Sequence, residues 1–120
     1  MRIGVLGAGQ LGRMLAQAGA RLGMQFRFLA PPGDTCVDGL GALLQGDLLD
    51  EDLLRRFAEG LDAVTIEWEN VPAATVERLM RWVPVRPGPA SLQCGQDRIS
   101  EKQFFRACGL QVQPFAPVDS

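Results

Sequence analysis

One junction constrains this chain more than any other: the apolar run Ile3-Gly4-Val5-Leu6, the turn Gly7-Ala8-Gly9-Gln10-Leu11-Gly12, and the helical pattern after it. Apolar residues recur at Leu11, Met14, Leu15, Ala18 and Leu22, so a buried strand is read as feeding an amphipathic helix with that stripe as its apolar face. The glycines let the backbone turn sharply and approach a ligand closely. The first helical N–H groups lack partners, and the helix dipole favours negative charge there. The turn is therefore expected to hold a small phosphorylated or otherwise polar ligand.

The remaining elements alternate. Strand 1 is read at Arg2–Leu6, helix 1 at Gln10–Leu22 closed by Gly23, and strand 2 at Gln25–Leu29 broken by Pro31-Pro32-Gly33-Asp34. Thr35–Gly41 is expected to form one irregular helical turn around Cys36, Val37 and Leu40. Strand 3 follows at Ala42–Gln45. Asp50 is a suitable N-cap for helix 2, Glu51–Ala58, in which Leu53, Leu54 and Phe57 continue a stripe from Leu49 to Leu61. Strand 4 is Asp62–Ile66, helix 3 is Ala73–Trp82, and Pro84-Val85-Arg86 is a short fifth strand. A short helical turn at Ser91–Cys94, a last helix at Arg98–Cys108 and an extended Leu110–Pro114 complete the reading. The expected fold is α/β: three layers, with helices on both faces of a Rossmann-like, mainly parallel sheet of about five strands.

A length of 120 residues suits one domain. Net charge −2 provides no basic field, which argues against nucleic acid or an anionic membrane as partner. No apolar run approaches the ~18 residues of a membrane span. Cys36, Cys94 and Cys108 are odd in number and far apart, so reduced, mostly buried thiols in the cytoplasm are expected, with neither a zinc site nor a redox pair. Histidine and tyrosine are absent, so chemistry here must rest on carboxylates, backbone amides and arginine, or on a cofactor brought from elsewhere.

Three stretches carry chemical potential. The spacing Gly7-x-Gly9-x-x-Gly12 between strand and helix fits a dinucleotide fingerprint. Such a site wants an acidic residue at the end of strand 2, where this chain has Leu29, Ala30 and Pro31, with Asp34 poorly placed beyond two prolines. The turn could also serve strand–helix packing alone. In the second stretch, Thr65-Ile66-Glu67-Trp68-Glu69-Asn70-Val71-Pro72, two carboxylates stand at the C-terminal end of a strand. If strands 1 and 4 flank the middle of the sheet, Glu67 faces the glycine turn, repels phosphate and accepts hydrogen bonds from hydroxyl or amino groups. A solvated acidic loop is the plainer alternative. In the third, Gln96-Asp97-Arg98-Ile99-Ser100-Glu101-Lys102, the plain reading is a surface helix capped by Asp97 with Arg98 in water; Arg13 likewise reads as solvated.

Together these stretches, with Arg86-Pro87-Gly88-Pro89 and Gln103-Phe104-Phe105, resemble N5-carboxyaminoimidazole ribonucleotide synthetase, an ATP-grasp ligase family, from Met1 to about Pro114. The resemblance implies a pre-ATP-grasp domain over residues 1–114, with 115–120 beginning a linker to an ATP-grasp domain that these residues do not include. It implies carboxylation of 5-aminoimidazole ribonucleotide from bicarbonate and ATP in purine synthesis, through carboxyphosphate. ATP and magnesium are then held mainly by the ATP-grasp part, and the full-length protein is a homodimer. Gln10, Leu11 and Glu67, with Gly9 and Glu69 beside them, are the implied ribonucleotide contacts; Arg98 is the implied ATP contact. No catalytic residue and no metal ligand is expected in this stretch. A free-standing NAD-binding module and a non-catalytic interaction domain remain the alternatives.

Overall fold

The structure, a computed structural model, describes residues 1–33 and 36–118. Asp34 and Thr35, and with them part of the expected turn at 35–41, lie outside the described residues. The elements run β1 (Arg2–Leu6), α1 (Gln10–Ala20), β2 (Gln25–Ala30), β3 (Ala42–Gln45), α2 (Glu51–Ala58), β4 (Ala63–Ile66), α3 (Ala73–Leu79), α4 (Pro89–Gln96) and α5 (Arg98–Ala107). The four strands form one sheet in the order β3-β2-β1-β4. All its pairings are parallel: Ile3 stands beside Phe26 on one side and Ala63 on the other, and Arg27 beside Ala42.

The expected α/β architecture is present. The fifth strand shrinks to a single bridge between Val85 and Val64. Val64 N–H donates to the Pro84 carbonyl (2.8 Å) and Arg86 N–H to the Val64 carbonyl (2.9 Å), after which the Arg86–Pro87 peptide is cis. Pro84 and Pro87, on either side of Val85 and Arg86, lack the N–H donors that would lengthen the ladder. Helix α4 is longer than the expected Ser91–Cys94 turn because Pro89 opens it at its first position. The segment expected to be extended at 110–114 joins no strand.

Alternation along β1 and β2 splits the core between the two faces of the sheet. Leu6 and Leu29 point toward α2 and α3, packing with Leu54, Phe57, Val64, Val76 and Leu79. Val5 and Phe28 point toward α1, with Ala16, Phe26 and Val37. Asp50 caps α2 as expected, its carboxylate accepting from the N–H groups of Asp52 (2.9 Å) and Leu53 (3.1 Å). Arg27 Nη1 closes the other end of that helix by donating to the carbonyls of Arg56, Phe57 and Glu59. Thr75, buried on α3, donates its hydroxyl to the Leu48 carbonyl at 2.8 Å.

Helix α1 reverses the expected orientation. The residues it turns to the sheet are Gly12, Ala16 and Gly19. Leu11 is 61% exposed and Leu22 72%, with Met14 and Leu15 also on the outside. The cause is the space already filled by β2: a Cβ on Gly19 would lie 2.4 Å from Phe26 Cζ. The two large rings of Phe26 and Phe28 admit a helix only by its small side chains. The cysteines also differ from expectation, since Cys36 and Cys108 are exposed and Cys94 half-buried; all three are free. Cys36 lies in a turn and Cys108 at the C-cap of α5, both at the periphery.

Candidate functional site

The chain runs outward from β1 through β2 to β3, then returns to place β4 on the other side of β1. That reversal forms a crevice at the carboxyl ends of β1 and β4, where open α/β sheets bind ligands. Backbone hydrogen bonds fix both walls. Gly7 N–H donates to the Leu29 carbonyl (2.8 Å) and Glu67 N–H to the Leu6 carbonyl (2.9 Å). The glycine turn and Glu67 are thus extensions of two adjacent ladders.

From there the Glu67 side chain reaches into the turn, and Oε2 accepts the Gly9 N–H at 3.0 Å. All three glycines of the fingerprint face this one carboxylate. A Cβ would fall 2.4 Å from Oε2 at Gly7, 2.7 Å from Oε1 at Gly9 and 3.1 Å from Oε2 at Gly12. Helix α1 has no side-chain N-cap and no acidic residue in its first turn. Glu67 therefore supplies, from the neighbouring strand, the negative charge that a helix N-terminus favours. The seat expected for a ligand anion is taken by the chain's own carboxylate. Oε1 accepts no hydrogen bond among the described residues, and an ionised carboxylate can only accept, so the crevice presents an acceptor to a hydroxyl or amine.

The other expected residues are arranged around this pair. Gly9 is the half-buried N-cap of α1, and Gln10 and Leu11 are its exposed first residues. Glu69 is exposed two residues beyond Glu67. Arg98 opens α5 and pairs with Glu101 at 2.7 Å, on the surface, with no bond to the glycine turn. Asp97 caps that helix as read from the sequence, accepting the Ser100 N–H at 2.7 Å. This backbone hydrogen bond holds its carboxyl below the ordinary Asp value, helped by the Ser100 side chain. A depressed folded value means that the cap supports α5 above the unfolded pKa of about 3.9 and is lost as pH falls through the lower folded value. Amide exchange at Ser100 and Glu101 is expected to lose protection on acidification below about pH 4, relative to the rest of the helix. An Asp97→Asn variant should show no such pH step.

The contacts of one residue escape the sequence reading. Gln96, the last of α4, donates through Nε2 to the carbonyls of Glu69 and Val71, each at 2.7 Å. Partners 27 and 25 residues away leave no local sequence signal. A cleft of about 190 Å³ lies between Glu67 and Glu69 on one wall and Pro87, Ser91 and Gly95 on the other. A second, of about 470 Å³, spans the ends of β2, β3 and β4 between Pro31, Asp47 and Asn70. Trp68 lines both, and its indole Nε1 is buried without a partner among the described residues.

An open parallel sheet whose strand order reverses beneath a glycine-rich turn defines a Rossmann-like α/β ligand-binding domain. The family profile described as "Ribonucleotide synthetase preATP-grasp domain" matches residues 1–96, and the chain belongs to that family. N5-carboxyaminoimidazole ribonucleotide synthase of Pseudomonas aeruginosa is 48% identical over 120 residues, covering 100% of this chain and 33% of that protein. The crystal structure of N5-carboxyaminoimidazole ribonucleotide synthetase from Thermus thermophilus superposes with a TM-score of 0.91 at 51% identity, over 98% of this chain and 32% of that one. The Aspergillus clavatus N5-carboxyaminoimidazole synthase, solved with ADP and 5-aminoimidazole ribonucleotide, gives a TM-score of 0.76 at 28% identity, over 90% of this chain and 29% of that one. The chain thus spans about a third of the length of the relatives it matches.

Proposed function

We propose that this chain is the ribonucleotide-holding N-terminal part of an ATP-grasp ligase that carboxylates 5-aminoimidazole ribonucleotide to N5-carboxyaminoimidazole ribonucleotide in purine synthesis. ATP phosphorylates bicarbonate to carboxyphosphate; the exocyclic amine attacks its carbonyl carbon, phosphate leaves with the C–O bond electrons, and the amine loses a proton. The observation that carries the reading is the Glu67 carboxylate inside the ring of Gly7, Gly9 and Gly12 at the strand-order reversal, with one oxygen free to accept. In this reading Glu67 takes a hydroxyl or amine of the ribonucleotide. Gly9, Gln10 and Leu11 line its approach, Glu69 stands at the rim, and Arg98 turns from Glu101 to an ATP phosphate. The ligands found with the Aspergillus relative support this choice.

ATP in such a ligase works with magnesium. Among the described residues no group of three or more His, Cys, Asp or Glu could hold a metal ion. In this reading magnesium is held mainly by the ATP-grasp part together with the ATP phosphates, and these residues contribute binding. The functional unit extends through α5 to about Pro114. Three unpaired cysteines suit a cytoplasmic setting, and among the described residues no helix is long and apolar enough to cross a membrane. In this reading the full-length form is a homodimer, with much of that contact outside this region.

Calorimetric titration of the 120-residue chain tests the reading. Saturable one-to-one binding of 5-aminoimidazole ribonucleotide is expected, with no binding of NADH and no ATP turnover. Tight stoichiometric NADH binding, or ATP turnover stimulated by the ribonucleotide, would overturn it.

A further inference from the structure

Gln96 sits where the two halves of the proposed site meet. On one side its Nε2 holds the carbonyls of Glu69 and Val71, at 2.7 Å each. These belong to the loop that leaves β4 directly after Glu67. On the other side its backbone leads straight into Asp97, the residue that ends α4 and caps α5, and then into Arg98. A short series of covalent and hydrogen-bonded steps therefore connects Glu67 to Arg98: the loop, the Gln96 amide, the Asp97 cap and the first turn of α5. Among the described residues, no other hydrogen bond joins the Glu67 loop to the α4–α5 junction.

We infer that Gln96 is a positioning residue that couples the ribonucleotide carboxylate to the ATP-contacting helix, so that the loop bearing Glu67 and the start of α5 are held in one register. The inference rests on the proposed function, which assigns Glu67 and Arg98 to two different substrates. Its physical basis is the chemistry of the amide. The N–H donors of one –NH₂ group are shared between the carbonyls of Glu69 and Val71, and this fixes the loop conformation as well as its distance from α4. The Val71 bond is part-buried and Val71 itself fully buried, so the anchor is in the core and the lever, Glu67 to Glu69, on the open side. Losing the donor frees the loop and the junction together. Affinity for both substrates then falls, because each ligand must order its own element, the loop for the ribonucleotide and the start of α5 for ATP, without support from the other.

Steady-state kinetics of a full-length enzyme carrying this domain test the coupling. Gln96→Leu keeps the bulk and removes the donor. It is expected to raise the KM for ribonucleotide and for ATP in parallel, each about 5- to 30-fold, the equilibrium factor for the loss of one to two ordinary hydrogen bonds. Gln96→Glu sets carboxylate oxygens against two carbonyls and is expected to exceed the Leu effect. Gln96→Lys restores an N–H donor that reaches two acceptors and is expected to rescue both constants toward wild type. A merely structural role would lower thermal stability in this same order while leaving both KM values near wild type. Unchanged KM values in Gln96→Glu, or a rise in one substrate's KM alone, sink the coupling. The proposed function falls separately, if Glu67→Ala leaves the ribonucleotide KM unchanged.

Discussion

Gly7→Ala is expected to destabilise the domain by about 3 kcal/mol, the sum of a disfavoured backbone conformation and an overpacked contact. Gly7 lies at φ +113°, a conformation L side chains rarely adopt. Its new Cβ would meet Glu67 Oε2 at 2.4 Å and Glu67 Cβ at 2.9 Å. The carboxylate oxygen could swing away, but the Cβ is fixed by the Glu67 N–H bond to Leu6. Relief therefore requires separating β1 from β4 at the crevice. For a domain of this size the melting temperature should fall by about 10 °C, read by circular dichroism. Gly9→Ala makes the useful contrast: its Cβ meets the end of a flexible side chain, Oε1 at 2.7 Å. That variant should keep most of its stability while displacing the carboxylate. A Gly7→Ala melting temperature within about 2 °C of wild type would refute the steric account.

Glu67→Ala in a full-length enzyme is expected to raise the ribonucleotide KM by about 10- to 100-fold, the range for a hydrogen bond to a charged group. The ATP KM should move far less, since Glu67 stands in the glycine turn and Arg98 on α5. Stability should drop by about 1 kcal/mol or less, because α1 loses the anion at its N-terminus. Glu67→Gln separates the two roles. Its carbonyl oxygen can still accept from Gly9, so stability is kept, while its –NH₂ group faces the ligand as a donor and the KM stays raised. A second readout comes from inorganic phosphate. Phosphate should protect Glu67→Ala against thermal unfolding and leave wild type unaffected, because only the variant has an open seat. Equal protection of both would show that Glu67 does not occupy that seat.

The parts of the fold legible in the sequence are those set by local chemistry. Asp50 announces α2, and the apolar runs of β1 and β4 have no competing helical period. Glu67 is legible because a carboxylate at the end of a strand is conspicuous in an α/β sheet, and its approach to the turn needs only β1 and β4 to be neighbours. The burial of α1 is not legible, because side-chain size along one helix says nothing of its counterpart. Leu11, Met14 and Leu15 are the natural candidates for a core, yet Phe26 and Phe28 fill it, and the helix can approach only through Gly12, Ala16 and Gly19. Gln96 is hidden for a different reason. Its partners are backbone carbonyls, which every residue carries, so no pattern of side chains marks them.

The carboxylate in the glycine turn has a thermodynamic consequence. A phosphate-binding turn fills according to the concentration of phosphate around it, and salt competes for it. Here the anion is tethered to the same chain, so its local concentration is a constant of the fold and dilution cannot remove it. The turn holds its acceptor in advance of any ligand. Free phosphates meet repulsion there, and only a molecule bringing a proton to share can add to what the fold already holds.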